Sequence, residues 1–301
     1  MSTDLRNVLT LVFLALIWGS SFILMNLVLK DSDKNMLYSP MALGAMRLVL
    51  AGLVLAPVAI KHIRKLKGEL FWPVLIVGVF GNGIPAFLFA VSLNHIDSGL
   101  AGILNSLVPL STVLLGVVLF QLKINKFTLL GVFVGLLGAI GLVVMKKGVS
   151  VDAGYLGYAG LVILATLCYA LSVNTIQHKL KGTDAIVIAS LGLFLAALPS
   201  SLILAFTDFK EVLTSNPEGI KGLGFCFILS AVGTAFALVL FNKLVQKSSA
   251  VFASMVTYLI PIVAVMWGIY YGEQYSLPQL AFGLVILLGV YIVKWSKRLK
   301  V

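Results

Sequence analysis

Apolar residues in this chain gather in long unbroken runs, not at the spacing of a helix or strand with one wet face. Ten runs near 20 residues long, each bounded by charged or turn-forming residues, fall at about 8–29, 41–60, 72–93, 98–120, 127–145, 157–177, 185–206, 222–242, 250–271 and 277–295. A helix of that length matches the hydrocarbon core of a bilayer. The pattern predicts an all-α integral membrane protein of ten transmembrane helices, with little chain left for soluble domains. The first run, from Val8, is too long for a signal-peptide core and lacks a clear small-residue cleavage pattern, so it is expected to remain as a spanning helix.

Within this pattern lies a duplication. Pro109 and Pro261 stand midway along two runs, and the sequence around each repeats the other at a spacing of 152 residues. Without gaps, 82–140 overlies 234–292, with identities that include Leu88/Leu240, Phe89/Phe241, Ala101/Ala253, Gly116/Gly268 and Gly131/Gly283. Five runs per copy is an odd number, so the second copy must enter the bilayer from the opposite face: the expected fold is two inverted five-helix repeats, residues 1–150 and 151–301. The glycine-rich stretch 148–156 is the natural join, with the boundary near Ser150. Short connections at 94–97 and 243–249 predict two tight helical hairpins, and 207–221 reads as the longest loop, an external cap.

Composition sharpens this reading. With 60% hydrophobic and 11% charged residues the chain cannot hide its apolar surface in one soluble core, and its mean hydropathy is +1.08. The formal charge of +11 could suggest nucleic acid, but its placement argues for a membrane and no nucleic acid. Of the 22 Lys and Arg, six lie on one side of the runs (Lys30, Lys34, Lys146, Lys147, Lys210 and Lys221), Arg47 lies within a run, and the other fifteen share the side of the N-terminus. The positive-inside bias then places both termini in the cytoplasm of a multi-pass protein of the inner (cytoplasmic) membrane. Cys168 and Cys226 fall within runs, which predicts buried thiols, not a disulfide or a metal site.

Three stretches resemble the EamA-type branch of the drug/metabolite transporter superfamily: LALIWGSSF at 14–22, RLVLA at 47–51, and the twice-used small-residue helix, central proline, glycine, short turn and glycine-led last helix. In the second copy Gly272–Glu273 resembles the family's Gly–Glu, whereas the first copy has Phe120–Gln121. The resemblance implies ten helices, an inverted repeat, a central substrate cavity, alternating access and export of amino acids or other small metabolites, with no cofactor.

Proline frees the carbonyl four residues earlier, here those of Asn105 and Thr257. A freed carbonyl and a polar side chain on one residue need a partner in hydrocarbon. Asn105 and Thr257, with neighbours Ser106 and Tyr258, are therefore candidate substrate contacts. Asn82, in Gly81–Asn82–Gly83 just ahead of Pro85, has Thr234 as its repeat partner, and both are candidates for the cavity wall. Trp18 and Ser21 in the first run and Tyr169 in the sixth complete the candidate binding set. Pro85, Pro109, Pro261 and Glu273 are the candidate hinge and gate residues. Arg47, on the order of 10 Å deep at the helical rise, is expected to snorkel toward the outer surface, with a clamp on a substrate carboxylate as the other reading. The glycines at 131, 135, 138 and 141, with Gly283 and Gly289, mark close helix packing, within a monomer or in a weak homodimer.

The function this predicts is a secondary transporter for a small zwitterionic or neutral solute such as an amino acid, an exporter by the family resemblance, with a facilitative channel or exchanger as the alternative. A channel would need rings of charge or carbonyl filters, and an intramembrane enzyme would need a motif such as H-E-x-x-H or G-x-S-x-G, which the sequence lacks.

Overall fold

The computed structural model describes residues 3–121, 126–144, 153–248, 253–254 and 256–296. In the first copy α1 (Thr3–Leu29) and α2 (Pro40–His62) are followed by α3 (Phe71–Gly78), which runs through a π-helical turn, Val79–Gly83, into α4 (Ile84–Leu93). Next come α5 (Ser98–Asn105), α6 (Val108–Phe120) and α7 (Lys126–Val144). The second copy supplies α8 (Ala153–Lys179), α9 (Ala185–Ala205), α10 (Phe209–Ser215) and α11 (Gly219–Ser230), then a second π-helical turn, Ala231–Phe236, leading into α12 (Ala237–Lys247). The last helices are α13 (Val256–Tyr270) and α14 (Leu277–Ser296). Among the described residues there is no strand beyond an isolated bridge between Lys30 and Met36.

Seven helices among the described residues are long and apolar enough to cross a membrane, and Val256–Tyr270 and Leu280–Gly289 are shorter apolar segments. Many apolar side chains face outward, Leu53, Ile60, Leu202 and Leu284 among them. That surface is solvated by lipid tails in a membrane protein and would be a liability in water.

The first helix of each copy packs into the other copy. α1 lies against α11, α12 and α13, while α8 lies against α3, α4, α5 and α6. The glycine stripe of the fifth run is used inside the chain: α7 packs along α14, where a Cβ on Gly289 would collide with the backbone of Gly131 and Gly135, and one on Gly138 would stand 2.7 Å from the Ile286 nitrogen. Both cysteines are buried and unbonded.

Two expectations change. The expected loop at 207–221 contains α10, and Asp208 at its start turns back to bind Ser39, through the Ser39 nitrogen at 2.9 Å and hydroxyl at 2.6 Å. The run at 98–120 is two helices, broken at Ser106–Leu107 immediately before Pro109, because the missing proline N–H and its ring end the ladder there. By contrast Pro261 stands within the continuous helix α13. The expected join at 148–156 falls partly, and the end of the 243–249 turn wholly, outside the described residues.

Candidate functional site

At the centre a cavity of about 110 Å³ lies between the copies, several times the minimum that holds one water. Its walls repeat. Gly81, Asn82, Phe89, Asn105 and Val108 line it from the first copy, and Gly233, Thr234, Phe241, Thr257 and Ile260, each 152 residues later, line it from the second. The first helices contribute in the same way with a spacing of 151: Trp18, Ser21, Phe22 and Met25 from α1, and Tyr169, Ser172, Val173 and Ile176 from α8.

The contacts repeat as well as the positions. Trp18 packs on Phe241 with ring centroids 5.1 Å apart, and Tyr169 stacks on Phe89 at 6.1 Å, so each first-helix aromatic covers the phenylalanine of the other copy. A Cβ on Gly233 would come 2.9 Å from the Ser21 hydroxyl oxygen, and one on Gly81 would collide with that of Ser172. The two glycines allow the first helix of one copy to lie against the π-helical turn of the other.

Those turns occupy equivalent stretches, and their side chains act alike. Asn82 Nδ2 donates to the Val77 carbonyl at 3.3 Å and Thr234 Oγ1 donates to the Leu229 carbonyl at 3.2 Å, five residues back in each case. A π-turn displaces the helical ladder and leaves backbone groups for side chains to satisfy. Pro85 follows the first turn, but Ala237 holds its place in the second, so proline alone does not cause the break.

Of the predicted contact residues, Trp18, Ser21, Asn82, Asn105, Tyr169, Thr234 and Thr257 line the cavity. Ser106 and Tyr258 do not: Ser106 is fully buried and its hydroxyl donates to the Ile103 carbonyl at 2.6 Å, a bond that caps the break before Pro109. Trp18 is anchored by its polar edge, since Nε1 donates to the Gly233 carbonyl at 3.0 Å. Thr257 donates to the Ser254 carbonyl at 2.7 Å. Asn105 differs, because its side-chain oxygen is buried without a hydrogen-bond partner, as is that of Asn242, another lining residue.

Arg47 does not snorkel outward. It enters the cavity wall, where Nε donates to Thr234 Oγ1 at 2.9 Å and Nη1 approaches the Met25 sulfur at 3.6 Å. Reading depth along one helix could not reveal a polar partner 187 residues away. Phe89 and Phe241 are wall residues too, and their identity across the repeat is the one signal of it in the sequence.

Glu273 is away from the cavity, at the start of α5. The φ of 86° at Gly272 turns the chain so that the Glu273 carboxylate accepts from the Ser98 nitrogen at 3.1 Å, the Gly99 nitrogen at 3.2 Å, and the hydroxyls of Ser98 and Tyr275. A carboxylate at a helix N-terminus satisfies free N–H groups there. Burial, then the Glu273 carboxylate, pushes the Tyr275 phenol above its ordinary value. Further ties join the copies at the same end. Tyr38 donates to the Gly219 carbonyl at 2.9 Å, and the Ser32 nitrogen donates to Glu218 at 3.2 Å. Hydrogen bonds from Ser32, then from Lys221, hold the Glu218 carboxyl below its usual value.

Comparison with known proteins gives two matches to one family model, the EamA-like transporter family, at residues 5–144 and 156–295. Among similar curated proteins, the uncharacterized transporter YvbV of Bacillus subtilis is 27% identical over 304 residues, covering 97% of this chain and 93% of its own. The uncharacterized inner membrane transporter YedA of Escherichia coli is 26% identical over 290 residues, covering 95% and 90%. A solved crystal structure shares the fold at 16% identity with a TM-score of 0.62, covering 97% of this chain and 98% of that one.

Proposed function

The chain belongs to the EamA-like transporter family, and on that premise we propose that it is a secondary transporter that carries a small zwitterionic or neutral metabolite through the central cavity by alternating access. Ten helices arranged as two inverted repeats, residues 1–150 and 151–301, are the architecture proposed for this work. Both termini are assigned to the cytoplasm and the direction of transport to export.

One observation carries the reading: the cavity is walled by equivalent positions of both copies. In an inverted repeat, rocking one bundle against the other exposes such a site first to one side and then to the other. The ties between copies at the end that holds Ser39, Ser98, Asp208 and Glu273 support a state closed there. The lining reaches Ile176 and Asn242, close in sequence to Lys179 and Lys243, which supports access from the opposite, lysine-rich end. Because the α7–α14 glycines are consumed within the chain, the monomer is the proposed working unit.

Counterflow tests this. Purified protein in liposomes preloaded with pooled unlabelled amino acids, nucleosides and organic acids should accumulate a labelled member of the pool transiently and saturably. Uptake that never saturates would indicate a channel.

A further inference from the structure

The cavity contains one side chain of full charge, and that charge is unanswered. Arg47 meets a hydroxyl and a thioether, and among the described residues no carboxylate forms an ion pair with it. Nothing in the repeat balances or mirrors it either: α9, which packs against α2, carries no charged residue from Ala185 to Ala205. Most of the wall follows the symmetry of the duplication, and Arg47 has no charged counterpart in it. A guanidinium offers five N–H donors in a planar fork, and its two named contacts leave most of them unused.

Two acceptors in the same wall are also unanswered, the side-chain oxygens of Asn105 and Asn242, which are 6% and 0% exposed as residues. A cation and two bare acceptors in one apolar cavity are completed by a ligand that brings one anion and at least one N–H or O–H donor. The fork geometry of arginine suits a carboxylate held by two parallel hydrogen bonds. A single positive charge matches a single negative one, whereas a phosphate monoester would bring excess charge into a low-dielectric site.

Building on the proposed transport role of this cavity, we infer that Arg47 anchors the carboxylate of the solute, and that the solutes accepted carry one carboxylate and a donor for Asn105 or Asn242, as a zwitterionic amino acid does. Phe22, Phe89 and Phe241 leave an apolar wall for the remainder of the molecule.

The test uses the full-length purified protein in detergent and matched pairs that differ only at the carboxylate: leucine and leucinamide, phenylalanine and phenylalaninamide, 2-hydroxyisocaproate and its amide. Affinities come from ligand-dependent thermal shifts. In the wild type at least one acid should bind about tenfold or more tightly than its amide, as expected for a charge-assisted pair. Arg47→Gln should bring that ratio to about one and Arg47→Lys should leave an intermediate ratio, since Lys keeps the charge without the fork. Arg64→Gln removes an exposed cation that is not part of the cavity lining, so it should retain the preference. The inference is overturned if no pair shows acid preference in the wild type, or if the preference survives Arg47→Gln. Parallel counterflow separates the two levels: saturable flux that is indifferent to Arg47→Gln removes the anchor and leaves the carrier, while no saturable flux of any solute removes the carrier.

Discussion

Arg47 Nε donates to Thr234 Oγ1 across 2.9 Å, and Thr234 donates in turn to the Leu229 carbonyl at 3.2 Å, so one hydroxyl joins a membrane-buried cation to the π-helical turn of the second copy. Asn82 plays the turn-capping part in the first copy without the cation. Thr234→Val should therefore cost about 1–3 kcal/mol, because it leaves a carbonyl and a charged donor short of partners, and Asn82→Leu roughly 1 kcal/mol. Thermal unfolding of both variants in one detergent checks the order. Equal losses would mean that the Arg47 contact adds nothing.

Much of this was legible in the sequence, for a physical reason. Hydrocarbon permits only self-satisfied backbone, so long apolar runs translate directly into helices, and a duplication at 152 residues places Asn105 opposite Thr257 and Asn82 opposite Thr234 around a shared centre. What stayed hidden depends on contacts between distant helices. Arg47 read as a snorkel because its partner lies in the other copy. Trp18 and Tyr169 were visible as aromatics, but that each covers the other copy's phenylalanine follows only from packing. The π-turns left no local signature beyond glycine and a polar residue, and Ser106 looked like a cavity residue although it caps the break before Pro109.

The glycine contacts make a second expectation. A Cβ on Gly81 would collide with Ser172 Oγ, so Gly81→Ala should destabilise the protein by about 1–3 kcal/mol through overpacking. Adding Ser172→Ala removes the colliding atom and should recover a substantial part of the melting temperature. No recovery in the double variant would place the cause in the turn itself.

Orientation is open to direct labelling. Single cysteines on a cysteine-free background at Lys65 and Lys210, both exposed, should differ in intact cells: an impermeant thiol reagent should reach Lys210→Cys and spare Lys65→Cys. Reaction at Lys65→Cys from outside would reverse the proposed topology.

The tie between Ser39 and Asp208 joins the two copies at the end proposed to face outside and to be closed. Asp208→Ala removes both acceptor oxygens, and for a half-exposed pair a shift of about 1 kcal/mol is expected, roughly fivefold in population. Alkylation from outside of a cysteine at Ser21, in the cavity wall, should speed up by about that factor. An unchanged rate would show that this tie does not hold the closed state.

Substrate protection at the paired wall positions is the most direct test of the claim that the cavity between the copies is the transport site. In liposomes showing counterflow, a single cysteine at Thr257 should be alkylated more slowly when the transported solute is saturating, and Asn105→Ala should raise the half-saturating concentration two- to tenfold, as expected for one lost hydrogen bond of about 0.5–1.5 kcal/mol. An alkylation rate indifferent to saturating solute, together with unaltered half-saturation in Asn105→Ala, would contradict the account and place the solute elsewhere.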